Sequence, residues 1–298
     1  MRNALIVAAA SCSLAGCVSH DATSSVSPAS EERSLVQLEV VYTRTSAETI
    51  RVGRVGLDAA AHFVRYRTAD AALDARAVST LLGLQHDDDL AAGSCRAVDD
   101  TQVASGRASS LDIALLDAGS LTVRNAGVVE AVLAPQHYPE LLPFVSGVVY
   151  GEEGTLARAP APSARIEIEA DGGEDVGPFV TSATMPRAFP ELVVARTGQG
   201  VELSWAALPN ATVLVDLRWG GVHAGSVRCR AVDDGRFVVA RAVARASLPV
   251  AARIDEALAQ GAQVAASVSR SEQASLDAPG VGAGRLLVTL RDTATISQ

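Results

Sequence analysis

The most regular pattern along this chain is the alternation of apolar and polar residues. Val36, Leu38, Val40 and Tyr42 alternate with residues of mixed polarity up to Thr43, which predicts a strand with one buried face. Similar short runs, separated by glycine and proline, are typical of an all-β fold. These runs are 62–68, 128–133, 145–150, 165–170, 191–195, 201–205, 213–219, 227–231, 237–240, 263–269 and 285–291.

Three other local patterns add detail to this picture. Residues 74–83 predict a short helical turn that Asp74 caps and that ends before Gly83. Residues 111–116 and 120–124 predict a β-hairpin, with Gly119 supplying the positive φ of its turn. The Ala-Pro-Ala-Pro run at 159–162 predicts an extended connector, because proline has no N–H to donate to a sheet.

The strands fall into two groups. We expect an all-β chain with two β-sandwich-like domains and short helical turns, at residues 34–182 and 183–298. In the second group, Val201-Glu-Leu-Ser-Trp205 is followed by a strand that ends at Trp219. This part of the chain resembles an immunoglobulin or fibronectin type III sandwich, and the resemblance implies a fold but no ligand.

The first residues have the order of a secretory signal: a charge at Arg2, an apolar run over residues 4–10, and small residues at Ala15 and Gly16. The segment is too short to span a bilayer as a helix. It ends in Leu14-Ala15-Gly16-Cys17, which resembles the lipobox of bacterial lipoproteins. The alternative interpretation of these residues is a buried N-terminal strand.

The lipobox resemblance implies that a signal peptidase removes residues 1–16 and that acyl chains, palmitate among them, are attached to Cys17. The Ser-rich residues 17–33 would then form a flexible tether between the anchor and the first domain. Val18 and Ser19 follow the cysteine where an Asp would favour retention in the inner membrane. The resemblance therefore implies an outer-membrane location.

Charge and composition exclude several functions. The net charge of −9 argues against nucleic acid as a partner. All 25 basic residues are arginine, and the sequence contains no lysine. Schiff-base chemistry, a P-loop lysine and a Ser-Lys nucleophile pair are therefore excluded, since each needs an ε-amine.

Two cysteines, Cys95 and Cys229, remain after leader removal and lipidation. In an oxidising compartment they could form a disulfide, or they could be two separate buried thiols. Each begins the same sequence, Cys-Arg-Ala-Val-Asp-Asp, at 95–100 and at 229–234. This repeat could indicate two duplicated domains, although the flanking segments match poorly.

Candidate chemical sites are weak. His86 precedes Asp87, Asp88 and Asp89, which could bind Ca²⁺, but consecutive carboxylates lack the alternating spacing of a calcium loop and predict a solvated loop. No zinc-binding spacing and no Gly-x-Ser-x-Gly motif is present.

For one histidine and two pairs of residues, we favour a structural role. His62 shares a strand face with Val64 and Tyr66, as a core or edge histidine does. Glu167 and Glu169 share a strand face with Arg165 and predict a solvated charged stripe rather than a glycosidase pair. Trp205 and Trp219 fall on apolar strand faces and predict core packing rather than sugar stacking.

We therefore expect no catalytic residues, no metal and no cofactor. The sequence predicts a non-enzymatic lipoprotein of the outer membrane that acts as a structural, adhesive or protein-binding part of the cell envelope. It resembles the uncharacterised β-rich envelope lipoproteins of Gram-negative bacteria with GC-rich genomes. The alternative is a carbohydrate- or Ca²⁺-dependent ligand-binding domain, which the acidic segment from Asp87 to Asp100 would serve.

Overall fold

The computed structural model describes residues 31–45, 54–68, 78–79, 82, 84, 90–97, 112–138, 145–197, 200–220, 224–238 and 263–296. The fold of these residues is all-β and sandwich-like, as the alternation predicts. The strands are β1 (Glu31–Thr45), β2 (Val55–Thr68), β3 (Cys95–Ala97), β4 (Asp112–Leu115), β5 (Leu121–Asn125), β6 (Val128–Leu133), β7 (Gln136–His137), β8 (Val145–Leu156), β9 (Arg165–Ala170), β10 (Phe179–Thr184), β11 (Val193–Thr197), β12 (Gly200–Ser204), β13 (Thr212–Trp219), β14 (Gly225–Val232), β15 (Arg236–Val238), β16 (Val264–Ala278) and β17 (Gly282–Ile296).

These strands form three sheets. The largest has ten strands in the order β3-β14-β13-β16-β17-β1-β2-β4-β8-β7, and β2 also pairs with β8. A four-stranded sheet has the order β10-β9-β5-β6, and a three-stranded sheet has the order β11-β12-β15. The large sheet therefore runs through both halves of the protein, and a smaller sheet packs against each half.

The predicted apolar faces form two main cores. In β1, Val36, Leu38, Val40 and Tyr42 are at most 1% exposed and pack with the four-stranded sheet. In the second half, alternate residues of β12, β13 and β14 pack together around Trp205 and Trp219. The prediction that the alternating apolar residues form the buried faces of these strands is therefore confirmed.

The last two strands contribute to both cores. β16 and β17 pair along their full length of fifteen residues. Val264, Ala266 and Val268 lie in the second core, whereas Leu276 and Ala278 lie in the first. β17 also pairs with β1 in parallel over nine residues. The pattern analysis, with its boundary between residues 182 and 183, gave no indication of this shared hairpin.

The hairpin predicted for residues 111–124 is wrong. β4 pairs with β2 and β8 in the large sheet, whereas β5 pairs with β6 and β9 in the four-stranded sheet. Residues 116–120 therefore cross between sheets. Gly119 does adopt the expected positive φ, at 70°, and a Cβ there would lie 2.3 Å from the carbonyl oxygen of Gly172.

Several smaller predictions have clear outcomes. The bounds predicted for β6 and β9 agree with the structure, and residues 159–162 contain no strand. Within the predicted helical turn, Val78 and Ser79 are helical, and the amide of Leu82 donates to the carbonyl of Val78 at 3.0 Å. Asp74 lies outside the described residues.

The segment between the two halves is held by two arginines. Arg270 donates to the carbonyl oxygens of Ala188 and Phe189 at 3.1 and 3.2 Å. The guanidinium carbon of Arg44 lies 4.7 Å from the centre of the Phe189 ring. Asp292, which forms two hydrogen bonds with Arg44, also accepts one from the amide of Leu192 at 3.0 Å. Buried charge-assisted contacts therefore fix this connection.

Within the described part of the chain, no helix has the length and apolar character needed to cross a membrane.

Candidate binding groove

A groove of about 230 Å³ lies where two strands of the large sheet separate. The pairing of β13 with β16 runs from Trp219 and Val264 to Leu214 and Ser269, and ends there. β13 continues to Thr212 in its pairing with β14, while β16 continues along β17. The groove extends from this point across one face of the sheet, from β14 to β1.

One side of the groove is formed by β13 and β14. Thr212, Val213 and Leu214 line it, together with Arg230 of β14. The Arg230 guanidinium lies 3.5 Å from both the carbonyl oxygen of Leu90 and the hydroxyl of Thr212. These contacts hold the cationic group beside the gap.

The other side is formed by β16 and β17, which contribute mainly polar side chains. Ser269, Ser271 and Gln273 of β16 and Arg285, Leu287 and Thr289 of β17 line it, and Glu39 of β1 lies beyond them. These residues share one face of the sheet because they follow one another at intervals of two. The groove surface therefore combines hydroxyl, amide and guanidinium groups with aliphatic side chains.

Hydrogen bonds within this wall fix its shape. The Arg285 guanidinium donates from Nη2 to Gln37 Oε1 at 2.8 Å, and the hydroxyls of Ser271 and Thr289 lie 2.9 Å apart. Gln37 is only 1% exposed, and its Nε2 has no hydrogen-bond partner within the described part of the chain. Arg285 is thus oriented by a buried neighbour on the adjacent strand.

The composition of the groove limits what it can bind. Its lining among the described residues contains two guanidinium groups and one carboxylate, that of Glu39. Its described lining includes no aromatic ring on which a sugar could stack. Its volume is below the roughly 300 to 1,000 Å³ of sites for drug-sized molecules. A short polar segment fits these limits better than a large cofactor.

The structure joins Cys95 and Cys229 by a disulfide with an S–S distance of 2.07 Å. The two residues are directly opposite each other in the antiparallel pair of β3 and β14. The two copies of the repeated hexapeptide thus meet at their first residues. Whether the repeat records a duplication stays a prediction, since residues 98–100 lie outside the described residues.

Other residues singled out by sequence are placed as follows. Cys17, His86, Asp87, Asp88 and Asp89 lie outside the described residues, so lipidation and calcium binding stay predictions. In the described ranges, no three His, Cys, Asp or Glu side chains are grouped so that they could hold a metal ion.

The glutamates and tryptophans have the structural roles that the sequence favours. Glu169 forms an ion pair with Arg124 of the neighbouring strand at 3.6 Å, on the outer face of the four-stranded sheet. Trp205 and Trp219 are 7% and 5% exposed and belong to the second core. Core packing of both tryptophans is therefore confirmed.

His62 lies on β2, on the same face as Val64 and Tyr66. Burial lowers the pKa of His62 to about 4, so its imidazole is neutral at physiological pH. A neutral, partly buried imidazole on a sheet face fits a structural role.

Sequence reasoning did not find the groove. Arg230 and Arg285 belong to different strands; Arg230 lies in the repeated hexapeptide, but neither residue is part of a motif that indicates a binding site. No family model matches the chain, and neither a curated protein nor a solved structure matches it. The groove is therefore defined by its geometry alone.

Proposed function

We propose that this protein is a lipid-anchored component of a bacterial cell envelope that binds other envelope proteins. The sequence Leu14-Ala15-Gly16-Cys17 is the observation that carries the proposal. Acylated Cys17 would attach the protein to the outer membrane, and the Ser-rich residues 17–33 would let its β-sandwich-like body reach partners. The proposal includes no catalytic step.

Two features of the folded body support an extracytoplasmic binding role. A disulfide between Cys95 and Cys229 is suited to an oxidising compartment, because cytoplasmic thiols are normally kept reduced. The groove between β13 and β16 is polar, open and close to a sheet edge, which are properties of surfaces that bind peptide segments.

We also propose that the second half of the protein is an immunoglobulin-like sandwich. Its support is the packing of the three-stranded sheet against β13, β14 and β16 around the two tryptophans. The calcium- or carbohydrate-binding alternative depends on Asp87, Asp88 and Asp89, and no described residue adds support to it.

Metabolic labelling tests the anchor. Cells that express the protein would be grown with an alkyne analogue of palmitate, and the purified protein would be tested for the label. We expect label on the wild type and on Cys12→Ala, a control that changes the leader cysteine outside the lipobox. Cys17→Ala should carry no label. Equal labelling of Cys17→Ala would contradict the proposal.

Cross-linking in intact cells tests the binding role. A short photo-cross-linker that needs neither an amine nor a carboxyl group to react would be placed at an exposed position such as Gln273. It would join the protein to any molecule within reach. The proposal predicts a discrete product with another envelope protein. Products with lipid alone, or with further copies of this chain alone, would contradict it.

A further inference from the structure

β3 covers one end of the large sheet with very few residues. It consists of Cys95–Ala97 and pairs with β14 at Val227 to Cys229. Among the described strands, β3 is the outermost one at this end of the sheet. Without β3, the main-chain groups on that side of β14 would form an open strand edge, and such edges are templates for pairing with another chain.

A disulfide joins β3 to β14. Cys229 is fully buried in the second core, and Cys95 packs against that core from β3. The amide of Arg230 donates to the Ser94 carbonyl at 3.0 Å, and its carbonyl accepts from the Gly93 amide at 2.7 Å. The net gain from such hydrogen bonds is of the same order as the entropy cost of ordering the residues that form them. The covalent bond therefore decides whether this short segment stays on β14.

A dithiol reductant would open the bridge by two thiol–disulfide exchanges. Cys95 is the more exposed of the two cysteines, so the first thiolate attacks its Sγ. A mixed disulfide forms there, and the Cys229 thiolate leaves and takes up a proton. The second thiolate of the reductant then displaces Cys95, which also takes up a proton. The reductant departs as a disulfide, and two thiols replace the bridge in the protein.

The sequence with which β14 pairs is also present in β14 itself. In the observed antiparallel pair, Cys95 lies opposite Cys229 and Arg96 lies opposite Arg228. The repeat Cys-Arg-Ala-Val-Asp-Asp begins at both cysteines. A second copy of β14, placed antiparallel about a two-fold axis at Cys229, would therefore present Cys-Arg-Ala in the same register as β3 does. β14 is thus self-complementary, as a two-fold symmetric interface requires.

The charges and the main-chain groups of β14 are compatible with this pairing. Arginine already lies opposite arginine where β3 pairs with β14. The guanidinium of Arg228 forms an ion pair with Asp216, with 2.6 Å between Nε and Oδ1. Since every second residue of an antiparallel strand directs its N–H and C=O to the same neighbour, Arg228 and Arg230 both direct theirs towards the β3 side. These groups would pair across the two-fold axis.

We propose that the Cys95–Cys229 disulfide locks the edge of β14, and that its reduction by a dithiol lets two copies of this chain join edge to edge through β14. β3 leaves its place, and the same Cys-Arg-Ala sequence of the second copy takes it. The two large sheets then become one continuous sheet. This inference goes beyond the proposed function and does not depend on it, because it requires neither a lipid anchor nor a different protein as partner.

Sedimentation velocity on the full-length protein in detergent tests the association. The oxidised protein should be a monomer, and the protein reduced with dithiothreitol should form a dimer. Circular dichroism would establish that the reduced protein remains folded. A folded, reduced protein that stays monomeric, or an oxidised protein that is already a dimer, would overturn the proposal.

Hydrogen exchange, read by peptide mass spectrometry, shows which strands are involved. After reduction, the amides of residues 93–97 should exchange about tenfold faster or more, because they lose their contacts with β14. The amides of Arg228 and Arg230 should stay protected, because the second copy replaces β3. Unchanged protection of residues 93–97 would show that β3 stays in place. Equal loss of protection in both strands would show that the edge stays open. Either result would overturn the proposal.

Two single variants test the register of the two strands. Cys95→Ser removes the bridge and leaves Cys229, which should lie opposite Cys229 of the second copy. Diamide, which takes up the two hydrogens, should therefore link two chains through these residues, and a nonreducing peptide map would identify the bond. Cys229→Ser is the matched control, and it should link far more slowly because Cys95 lies in the displaced segment. Equal linkage in the two variants, or none through Cys229, would overturn the pairing.

Discussion

Arg270 and Asp233 form a bidentate ion pair in the interior of the second half of the protein. Arg270 Nε lies 2.7 Å from Asp233 Oδ2, and Nη2 lies 2.9 Å from Oδ1. The side chains are 4% and 0% exposed. Trp205 Nε1 donates to the same carboxylate at 2.7 Å. One carboxylate therefore joins β16, the end of β12 and the turn after β14.

Loss of this carboxylate should strongly destabilise the protein. Asp233→Asn would leave the Arg270 charge buried without its counter-ion, which costs roughly 3 to 5 kcal/mol. The neighbouring Asp234 is exposed and accepts a hydrogen bond from the amide of Arg236 at 3.1 Å, so Asp234→Asn is the matched control. Urea unfolding should show only a small change in the free energy of unfolding for Asp234→Asn. Similar losses in the two variants would contradict the assigned role of the pair.

The Asp233 pair should also make stability depend on acid pH. Burial alone would raise the pKa of Asp233, but hydrogen bonds from Arg270, Trp205 and the Leu208 amide outweigh it and lower this pKa. A carboxylate with a lowered folded-state pKa contributes stability that is present above its unfolded pKa of about 3.9 and is lost as pH falls below that value.

The measurement is the free energy of unfolding in urea at pH 6 and at pH 3. The wild type should lose more stability between these values than Asp233→Asn does, because the variant has no carboxylate to protonate at this site. An equal loss in both proteins would show that other carboxylates account for the acid sensitivity.

Gly284 should tolerate no side chain, because β17 lies against β1 there. A Cβ at Gly284 would lie 2.4 Å from the Cβ of Val36 and 2.7 Å from its carbonyl oxygen. Val36 is buried in the first core, so it cannot move aside freely. Gly284→Ala should cost about 1 to 3 kcal/mol of overpacking strain, measured as a lower midpoint of urea unfolding.

Gly151→Ala is the control for this substitution. Gly151 is also a strand glycine, but no atom would lie within 4 Å of its new Cβ. Its variant should be neutral or stabilised by less than about 1 kcal/mol, because alanine has less conformational freedom in the unfolded chain. Equal destabilisation by both variants would contradict the close contact of β17 with β1.

The Cys95–Cys229 disulfide should contribute substantially to stability. The bridge closes a loop with a sequence separation of 134 residues. The entropy lost by the unfolded chain on closing such a loop corresponds to about 4 to 5 kcal/mol. Reduction with dithiothreitol should therefore lower the free energy of unfolding of the wild type.

The variant Cys95→Ser with Cys229→Ser controls for other effects of the reductant. It should be less stable than the oxidised wild type and should not respond to dithiothreitol. A nonreducing peptide map should contain one cross-linked peptide with both cysteines. Two free thiols in that map would contradict the bridge.

Sequence alternation was sufficient to predict the fold class and most of the strands. It worked best where one face of a strand is buried and the other is exposed, as in β1, β9 and β13. It failed for the second half of β16, where residues 271–273 are exposed and polar, while Leu276 and Ala278 pack in the first core against strands that are distant in sequence. A period-two pattern predicts where a strand occurs. It does not predict which strands pair, because pairing depends on contacts with other parts of the chain.

The role of Glu130 illustrates what local patterns cannot show. A register shift between Val123 and Arg124 in the β5–β6 pair leaves Glu130 without a partner in that ladder. Its side chain accepts hydrogen bonds from the Tyr42 hydroxyl at 2.5 Å and from Asn125 at 2.8 Å. An isolated glutamate in a strand sequence would normally be assigned to the solvent face.

The groove was unpredictable for a related reason. Its two arginines come from strands that are distant in sequence and are separated in the sheet by β13 and β16, and only the strand order brings them to one groove. No spacing in the sequence specifies where two paired strands separate. The sequence Leu14-Ala15-Gly16-Cys17, by contrast, is contiguous, so its resemblance to a lipobox can be recognised without a structure.

The N-terminus of the protein purified from membranes tests the account most directly. Mass spectrometry of the N-terminal peptide should show a chain that begins at Cys17 and carries acyl groups on that residue. A soluble protein whose N-terminal peptide still begins at Met1 would contradict the proposed lipid anchor and, with it, the assignment to the cell envelope.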